Sequence, residues 1–255
     1  MAQKNVQKTV LITGGAKRLG REIALALAQA GWRVAVHYRL SEQDAMETAN
    51  ACSKHTIGSM CFKANLNDED ETLGLIPSVI AAMGHVDAVV NNASTFELDA
   101  AKDFSYEKLT KHMLGNVGAP VILANALHEH VQARSAQGAV LNLLDQKLWN
   151  VNPDFLSYSL SKAALQMATQ MLAQSLAPCV RVCAIAPGLS FPSYLQSAED
   201  FERAAKYSLT GQISNPRDIA KAAVFMLENA SVAGATLLVD AGQHLTAMQR
   251  DVSFL

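Results

Sequence analysis

The chain has 255 residues, of which 50% are hydrophobic and 17% are charged, and its formal net charge is -2 at pH 7. This composition supports a large core and excludes extensive disorder, except at the first few and last few residues. The small net charge gives no electrostatic reason to expect a nucleic acid or an anionic membrane surface as partner.

Secretion, a membrane helix and a metal site are not expected from the sequence. Residues 1–9 are polar rather than a secretion signal, and no run approaches the roughly 18 apolar residues of a membrane helix, so we expect a cytoplasmic protein. Neither the cysteines nor the seven scattered histidines show metal-ligand spacing, so no metal site is predicted. The cysteines are predicted to be small core residues: Cys52, Cys61, Cys179 and Cys183.

The segment 8–30, KTVLITGGAKRLGREIALALAQA, predicts a buried strand, a glycine turn and an amphipathic helix. The apolar run VLI is typical of a parallel strand covered on both faces, and Gly14 lies in the turn that follows it. Apolar residues recur at helical spacing from Leu19, and Gly31 supplies a C-cap. A second strand from Arg33 to His37 completes one βαβ unit, the context in which a glycine turn indicates a dinucleotide site.

Three cations, Lys17, Arg18 and Arg21, stand at or beside the first turn of this helix. A helix N-terminus carries a partial positive charge, so cations are expected there when an anion normally occupies the site. Arg18 lies between the turn glycines and Gly20, and we predict that it contacts the anion. For Lys17 and Arg21, an anion contact and a solvated surface position remain open.

The rest of the chain continues to alternate between helical and strand patterns. Helices are predicted at about 41–54, 68–83, 105–132, 155–177 and 216–228, and strands at about 60–63, 87–91, 139–144, 181–185 and 236–239. Asn215 and Pro216 are an N-cap residue and a first-turn proline, whereas the segment 190–209 is ambiguous. Seven strands alternating with helices predict one α/β domain over residues 1–255, a Rossmann-type doubly wound fold with a seven-stranded parallel sheet and helices on both faces.

Ligands bind such a sheet at the carboxyl ends of its strands, so the residues that follow each strand are the candidate site. After the second strand an NAD-binding protein usually offers an acid to the ribose, but this chain has His37, Tyr38, Arg39 and Ser41. Arg39 and Ser41 suit a 2′-phosphate, so NADPH is predicted as the cofactor. Arg39 as a solvated loop charge is the alternative.

Small polar residues follow the third and fourth strands. Asn65 and Leu66 border either an adenine or a helix-capping turn. The segment Asn91, Asn92, Ala93 and Ser94 allows backbone to approach a cofactor. Phe96 stacks on a planar substrate or packs in the core, and its position alone favours the core.

The candidate catalytic residues follow the fifth strand. Tyr158 stands thirteen positions after Asp145, and Lys162 four positions further on, so Tyr158 and Lys162 share one face of a helix. A cation near a phenol stabilises the phenolate and would lower the tyrosine pKa, preparing Tyr158 as a general acid.

Together these motifs resemble the short-chain dehydrogenase/reductase family over nearly the whole chain. The resemblance implies that Tyr158 donates a proton, that Lys162 binds the nicotinamide ribose and tunes the tyrosine, and that Asn116 on the long helix supports a water relay. It also places Pro187 and Gly188 along the cofactor. The cofactor-binding residues it implies are Gly14, Arg18, Leu19, His37, Tyr38, Arg39, Ser41, Asn65, Leu66, Asn92, Ala93, Ser94, Tyr158, Lys162, Pro187, Gly188 and Ser190.

Two departures from the common family pattern resemble the pteridine reductases. Arg18 replaces the central glycine of the turn, and Asp145 replaces the serine that usually stands thirteen residues before the tyrosine. The segments TGGAKRLGR, NNAS with the following TF, and APGLS also resemble that subgroup. The resemblance places Arg18 against both pyrophosphate and substrate and Phe96 over a pterin ring, with Ser94 and Leu189 around it.

The chemistry of Asp145 supports a pterin independently of the resemblance. An ionised aspartate would repel the oxyanion that develops in ketone reduction, unless burial keeps the carboxyl protonated. A pterin receives its proton at a ring nitrogen and carries amino groups from which a carboxylate accepts hydrogen bonds. Asp145 as a turn or cap residue is the structural alternative.

The sequence therefore predicts an NADPH-dependent oxidoreductase that reduces a C=N bond of a dihydropterin-like small molecule. Two alternatives stay open: an NADPH-dependent carbonyl reductase acting on a 3-oxoacyl thioester or a small ketone, and a regulator that binds NADPH without turnover. The resemblance implies assembly as a homotetramer or homodimer through the long helix and the Tyr158 helix.

Overall fold

The computed structural model describes residues 7–254, and strands alternate with helices throughout. The strands are β1 (Thr9–Ile12), β2 (Arg33–Tyr38), β3 (Met60–Lys63), β4 (Ala88–Asn91), β5 (Gly138–Leu143), β6 (Val180–Pro187) and β7 (Thr236–Val239). The helices are α1 (Arg18–Gln29), α2 (Glu42–Ser53), α3 (Glu69–Met83), α4 (Tyr106–Met113), α5 (Ala119–Ala133), α6 (Leu156–Ser175), α7 (Ala198–Ala205) and α8 (Pro216–Glu228).

All neighbouring strands pair in parallel in one sheet, in the order β3-β2-β1-β4-β5-β6-β7. The direction of winding reverses between β1 and β4, where Ile12 is in register with Val36 on one side and Val90 on the other. The carboxyl ends of β1, β2 and β4 are therefore level, and they form the crevice in which such folds bind ligands. The predicted doubly wound fold with seven parallel strands is confirmed.

Helices cover both faces of the sheet because successive strand residues point to opposite sides. Val10 and Ile12 belong to a hydrophobic cluster that includes residues of α1, α2 and α8. Leu11 belongs to a second cluster, which includes residues of α3, α5 and the C-terminal part of α6. This burial on both faces accounts for the uninterrupted apolar character of the central strands. None of the helices in the described part of the chain has both the length and the apolar character of a membrane span.

The predicted boundaries differ from the observed ones by one or two residues. Gly31 has φ +93°, the left-handed conformation expected after a helix end. Asn215 caps α8 by accepting a hydrogen bond from the Arg217 N–H at 2.9 Å, and Pro216 is the first helical residue, as predicted. The ambiguous segment 190–209 contains the short helix α7.

The long helical stretch predicted over 105–132 is not one regular α-helix. A π-helical segment, Leu114–Gly118, joins α4 to α5 and contains Asn116. A π segment widens the helix by one residue per turn, and hydrophobic spacing does not distinguish it from a regular α-helix. Such segments are frequent at functional sites, so its place in the fold directs attention to Asn116.

Candidate active site

The glycine turn between β1 and α1 is fixed to the end of β4 by hydrogen bonds. The Asn92 amide donates to the Thr13 and Gly14 carbonyls at 2.9 and 3.1 Å, and the Thr13 hydroxyl accepts from the Asn92 and Ala93 N–H groups at 3.0 Å. Gly14 has φ +61°. A Cβ on Gly20 would lie 2.2 Å from the Gly14 carbonyl oxygen, so α1 approaches the turn too closely for any side chain there.

His37 supports this turn from β2. Its Nδ1 accepts from the Gly14 N–H, so the ring proton lies on Nε2, which donates to the Ala64 carbonyl; both bonds are 3.0 Å long. Burial lowers the pKa of His37 to about 4, which keeps the imidazole neutral at pH 7. His37 therefore links the turn to the end of β3 as an uncharged side chain.

The low pKa of His37 makes a prediction for stability. Because the folded pKa of about 4 lies below the unfolded value of 6.5, the contribution of His37 to stability is complete above pH 6.5 and is lost as the pH falls towards 4. We expect a decrease of about 3 kcal/mol in the free energy of unfolding from this residue. Urea unfolding of wild type and His37→Asn at several pH values measures this decrease. If the free energy of unfolding changed with pH equally in both proteins, the low pKa of His37 would be contradicted.

A cavity of about 660 Å³ lies beside the turn and the ends of β2, β3 and β4. Twelve predicted cofactor residues line it: Gly14, Arg18, Leu19, His37, Tyr38, Arg39, Ser41, Asn65, Leu66, Asn92, Ala93 and Ser94. Phe96, predicted from the resemblance to contact substrate, also lines it. The other predicted cofactor residues do not line this cavity: Tyr158, Lys162, Pro187, Gly188 and Ser190.

The charges around the cavity are mostly positive. Glu97 is the one carboxylate among the described lining residues, and Lys111 neutralises it at 2.5 Å. Arg39 is exposed and makes no hydrogen bond or ion pair with residues 7–254, and the neighbouring Ser41 hydroxyl does not cap α2. A guanidinium and a hydroxyl therefore remain free at the position predicted for a 2′-phosphate. Lys17, for which two interpretations were open, pairs with Asp44 at 2.8 Å.

Arg18 has a left-handed backbone conformation, and its side chain contacts the segment that follows β6. Its φ of +51° is in the left-handed region that favours glycine, the residue that the common family pattern places there. Its guanidinium donates to the Pro192 carbonyl at 2.9 Å and lies 5.2 Å from the Phe191 ring centroid. Arg18 thus joins the glycine turn to the segment that follows β6.

Asp145, Tyr158 and Lys162 meet at the end of β5. The Tyr158 hydroxyl donates to Asp145 Oδ2 at 2.7 Å, and Asp145 Oδ1 accepts from the Lys147 N–H at 2.8 Å. Asp145 is therefore both a cap of the short 3-10 helix Gln146–Leu148 and the partner of the tyrosine. Lys162 donates to the Leu143 carbonyl at 2.6 Å, and its ammonium lies 5.7 Å from the Tyr158 ring centroid.

This arrangement corrects one expectation. Burial and the Asp145 carboxylate raise the pKa of Tyr158 well above its usual value of 10, whereas the sequence predicted that Lys162 would lower it. The reason is that the phenol oxygen bonds to the carboxylate and the ammonium bonds to a backbone carbonyl. Burial also raises the pKa of Asp145 and lowers that of Lys162 to about 8.

Asn116 lies in the π segment and its amide is fully engaged. Its Oδ1 accepts from the Thr95 N–H at 2.7 Å, and its Nδ2 donates to the Thr95 carbonyl and the Ser161 hydroxyl, both at 3.0 Å. In this structure Asn116 therefore holds the β4–α4 loop against α6. The water relay implied by the resemblance remains a prediction.

The sequence profile of the family described as short chain dehydrogenase matches residues 8–203, well over half of the chain. The chain belongs to the short-chain dehydrogenase family. The predicted oxidoreductase class follows from this membership.

Individual relatives of this short-chain dehydrogenase cover nearly its whole length. The FolM alternative dihydrofolate reductase 1 of Brucella suis, solved in complex with NADP, is 35% identical with a TM-score of 0.88, and the match covers 93% of this chain and 95% of that one. The dihydromonapterin reductase of Enterobacter sp. is 28% identical over 94% of this chain and 98% of its own. A granaticin polyketide synthase putative ketoacyl reductase of Streptomyces violaceoruber is also 28% identical, over 92% and 95%.

Two residues that sequence reasoning missed complete the site of this short-chain dehydrogenase. Phe155, buried with φ +58°, stacks on Phe96 at 4.2 Å between ring centroids, and Phe96 meets Tyr158 edge-on at 4.8 Å. Asp99, from the β4–α4 loop, accepts from the Ser157 N–H at 2.9 Å and from the Ser157 hydroxyl, so it caps α6. No local signal marks Phe155 or Asp99, because both act through contacts distant in sequence.

The segment after β6 lies along the opposite side of the site. Gly188 is required there because a Cβ would lie 2.5 Å from the Ser214 hydroxyl. The Leu189 N–H donates to Gln243 Oε1 at 2.9 Å, and the Ser190 hydroxyl bonds back to the Gly188 carbonyl at 2.8 Å. These contacts, with the Arg18 bond to Pro192, hold the segment near the predicted substrate position.

Proposed function

We propose that this protein is an NADPH-dependent reductase that transfers hydride to a C=N bond of a pterin-like substrate of the dihydropteridine or dihydromonapterin type. The observation that carries the proposal is the hydrogen bond between the Tyr158 hydroxyl and the partly buried Asp145 carboxyl. Carbonyl reduction calls for a neutral donor beside the tyrosine, whereas a pterin presents amino groups to a carboxylate.

The cofactor would lie along the strand ends, and the free Arg39 guanidinium supports NADPH over NADH. Gly14, Arg18 and Leu19 would hold the pyrophosphate, with Arg39 and Ser41 at the 2′-phosphate. The other residues proposed to line the cofactor are His37, Tyr38, Asn65, Leu66, Asn92, Ala93, Ser94, Lys162, Pro187, Gly188 and Ser190. When bound, NADPH supplies the hydride.

The chain's own residues would handle the proton. Tyr158 is proposed as the proton donor, since its raised pKa keeps the hydroxyl protonated at pH 7. Asp145 holds that hydroxyl in place and accepts hydrogen bonds from substrate amino groups. Lys162, whose pKa is about 8, would act at the nicotinamide ribose beside the tyrosine.

The substrate ring is proposed to lie against Phe96. The Phe96 ring is partly exposed at the cavity, and its other contacts, with Phe155 and Tyr158, fix its orientation. A planar ring stacked there would have Arg18, Ser94 and Leu189 as neighbours. The Brucella relative is described as an alternative dihydrofolate reductase and the Enterobacter relative as a dihydromonapterin reductase, and both descriptions support a pterin or folate as the ring.

A turnover screen with NADPH tests the substrate class. Wild type is expected to oxidise NADPH with dihydropterins at least about tenfold faster than with acetoacetyl thioesters at equal concentration. Asp145→Ser supplies a hydroxyl donor in place of the carboxyl and is expected to shift that ratio about tenfold or more towards the thioester. Equal ratios for the two proteins would contradict the role of Asp145, and thioester turnover alone would refute the pterin.

Carbonyl reduction is the second candidate, and one observation favours it. Burial raises the pKa of Asp145, and a protonated carboxyl can donate a hydrogen bond to a developing oxyanion. The Streptomyces relative described as a putative ketoacyl reductase agrees with this alternative.

The protein is further proposed to assemble as a homotetramer or homodimer. Leu160, Met167 and Met171 expose 45%, 58% and 63% of their surface on α6, the Tyr158 helix, which is one of the two helices through which family members are expected to pair. Burial of this face in a second copy would remove its apolar surface from water, and sedimentation measures the resulting mass.

A further inference from the structure

The C-terminal segment 250–254 lies against the loop that carries Asp145. Arg250 donates to Asp154 Oδ2 at 2.8 Å, and the Phe254 ring stacks on Phe155 with 6.3 Å between centroids. Between them, Asp251 pairs with Lys147 at 2.9 Å. The end of the chain thus reaches the Asp145 loop through a salt bridge.

Lys147 is an unusual lysine because its side chain is only 4% exposed. Its ammonium bonds to Asp251 Oδ2 and to Asn152 Oδ1, and it lies 5.7 Å from the Phe155 ring centroid. A buried ammonium is stable only when it is paired, so loss of Asp251 would leave an uncompensated charge there. Asp251 is therefore the counter-ion of this buried ammonium.

The backbone of Lys147 holds the catalytic carboxyl. Its N–H donates to Asp145 Oδ1 at 2.8 Å, and the other oxygen, Oδ2, accepts from the Tyr158 hydroxyl at 2.7 Å. A continuous series of contacts therefore runs from Asp251 through Lys147 and Asp145 to Tyr158. Each contact fixes the next group by a hydrogen bond or an ion pair.

We propose that Asp251 is a positioning residue for the reaction: through Lys147 it fixes the orientation of Asp145 and hence of the Tyr158 hydroxyl. This inference rests on the proposed function, since it assumes that Asp145 and Tyr158 handle the proton. It assigns a role in the site to the C-terminal segment, about 100 residues from Asp145 in sequence.

The charged groups around Asp145 give the direction of a pH effect. They are Lys147 on the loop, Tyr158 and Lys162 on α6, and Asp251 from the C-terminal segment, which itself faces Lys147. The Asp251 carboxylate raises the pKa of both Asp145 and Tyr158. Removing its charge should lower both pKa values, so the Tyr158 hydroxyl should lose its proton at lower pH.

Asp251→Asn and the matched variant Arg250→Gln test the proposal. Asp251→Asn is expected to lower kcat about tenfold, with the NADPH Kd within about twofold of wild type. Arg250→Gln removes an ion pair of the same segment on a side chain that is 55% exposed, and should change kcat less than twofold. Equal losses in the two variants would overturn the proposal.

A double-mutant cycle distinguishes positioning from a general effect on folding. If Asp251 acts through the ammonium, Lys147→Met makes it irrelevant, so adding Asp251→Asn to Lys147→Met should cause no further loss of kcat. A further loss as large as that of Asp251→Asn alone would overturn the route. Should Asp251→Asn alone fail to fold, the comparison of Lys147→Met with the double variant still tests the route. Asp251→Glu, which is expected to retain most of kcat, tests it independently.

A readout without turnover separates this inference from the proposed function. The Tyr158 phenol titration, measured as the near-ultraviolet difference between each protein and its Tyr158→Phe version, should move to lower pH in Asp251→Asn. An unmoved titration would refute the positioning role. Absence of pterin turnover in wild type, together with a shifted titration, would refute the proposed substrate alone.

Discussion

Replacing Tyr158 with phenylalanine is expected to lower kcat/KM about 1,000-fold or more while leaving the Kd of NADPH within about twofold of wild type. The substitution removes only the hydroxyl that donates to Asp145 Oδ2 at 2.7 Å. The edge-on contact of the ring with Phe96 remains, so the site keeps its shape. Steady-state kinetics and titration of NADPH fluorescence measure the two quantities.

Tyr106→Phe is the matched control for this substitution. Tyr106 is 83% exposed at the start of α4, so the loss of its hydroxyl should change neither quantity measurably. Loss of NADPH binding in Tyr158→Phe would mean that the tyrosine anchors the cofactor rather than donating a proton. Unchanged turnover would exclude it from the chemistry.

Reversing the charge of Arg39 is expected to change the preference for NADPH over NADH by on the order of 1,000-fold. Arg39→Asp would remove the proposed charge-assisted bond to the 2′-phosphate, worth about 1.5–3 kcal/mol. It would also repel that phosphate and offer the ribose hydroxyls of NADH a carboxylate. The carboxylate would stand beside the Ser41 hydroxyl at a cavity whose one described acid, Glu97, is paired.

The Kd values of both dinucleotides measure this effect, with Lys54→Asp as control. Lys54 is exposed at the end of α2 and does not line the cavity, so its reversal changes the net charge equally without altering the site. A similar change in both variants would show that only net charge matters. A preserved preference in Arg39→Asp would place the 2′-phosphate elsewhere.

The fold could be predicted because its signals are local. The run from Val10 to Ile12 and the cap at Asn215 each depend on neighbours in sequence and on general propensities. The doubly wound topology then followed from alternation and from the handedness of crossovers. The π segment around Asn116 escaped prediction because one extra residue per turn leaves the hydrophobic pattern almost unchanged.

The structure brings predicted site residues together, but the hydrogen bonds between them differ from those expected. Asp145, Tyr158 and Lys162 do come together, but the sequence did not show that the carboxylate, rather than the ammonium, bonds to the phenol. Which group bonds to the phenol depends on the turn after β5. The carboxylate and burial together raise the pKa of Tyr158, whereas the sequence predicted a lower value. Similarly, the salt bridge between Asp251 and Lys147 could not be predicted, because the composition did not exclude disorder in the last few residues.

The capping of α6 by Asp99 has a consequence for redesign of this protein. One helix presents Tyr158, Ser161 and Lys162, and its first turn is fastened by a carboxylate from the loop that also bears Phe96. Altering that loop to admit a different substrate therefore risks rotating Tyr158, the proposed proton donor, and Lys162 together. Libraries that vary specificity should leave Asp99 and Ser157 untouched, or select for catalytic rate at the same time.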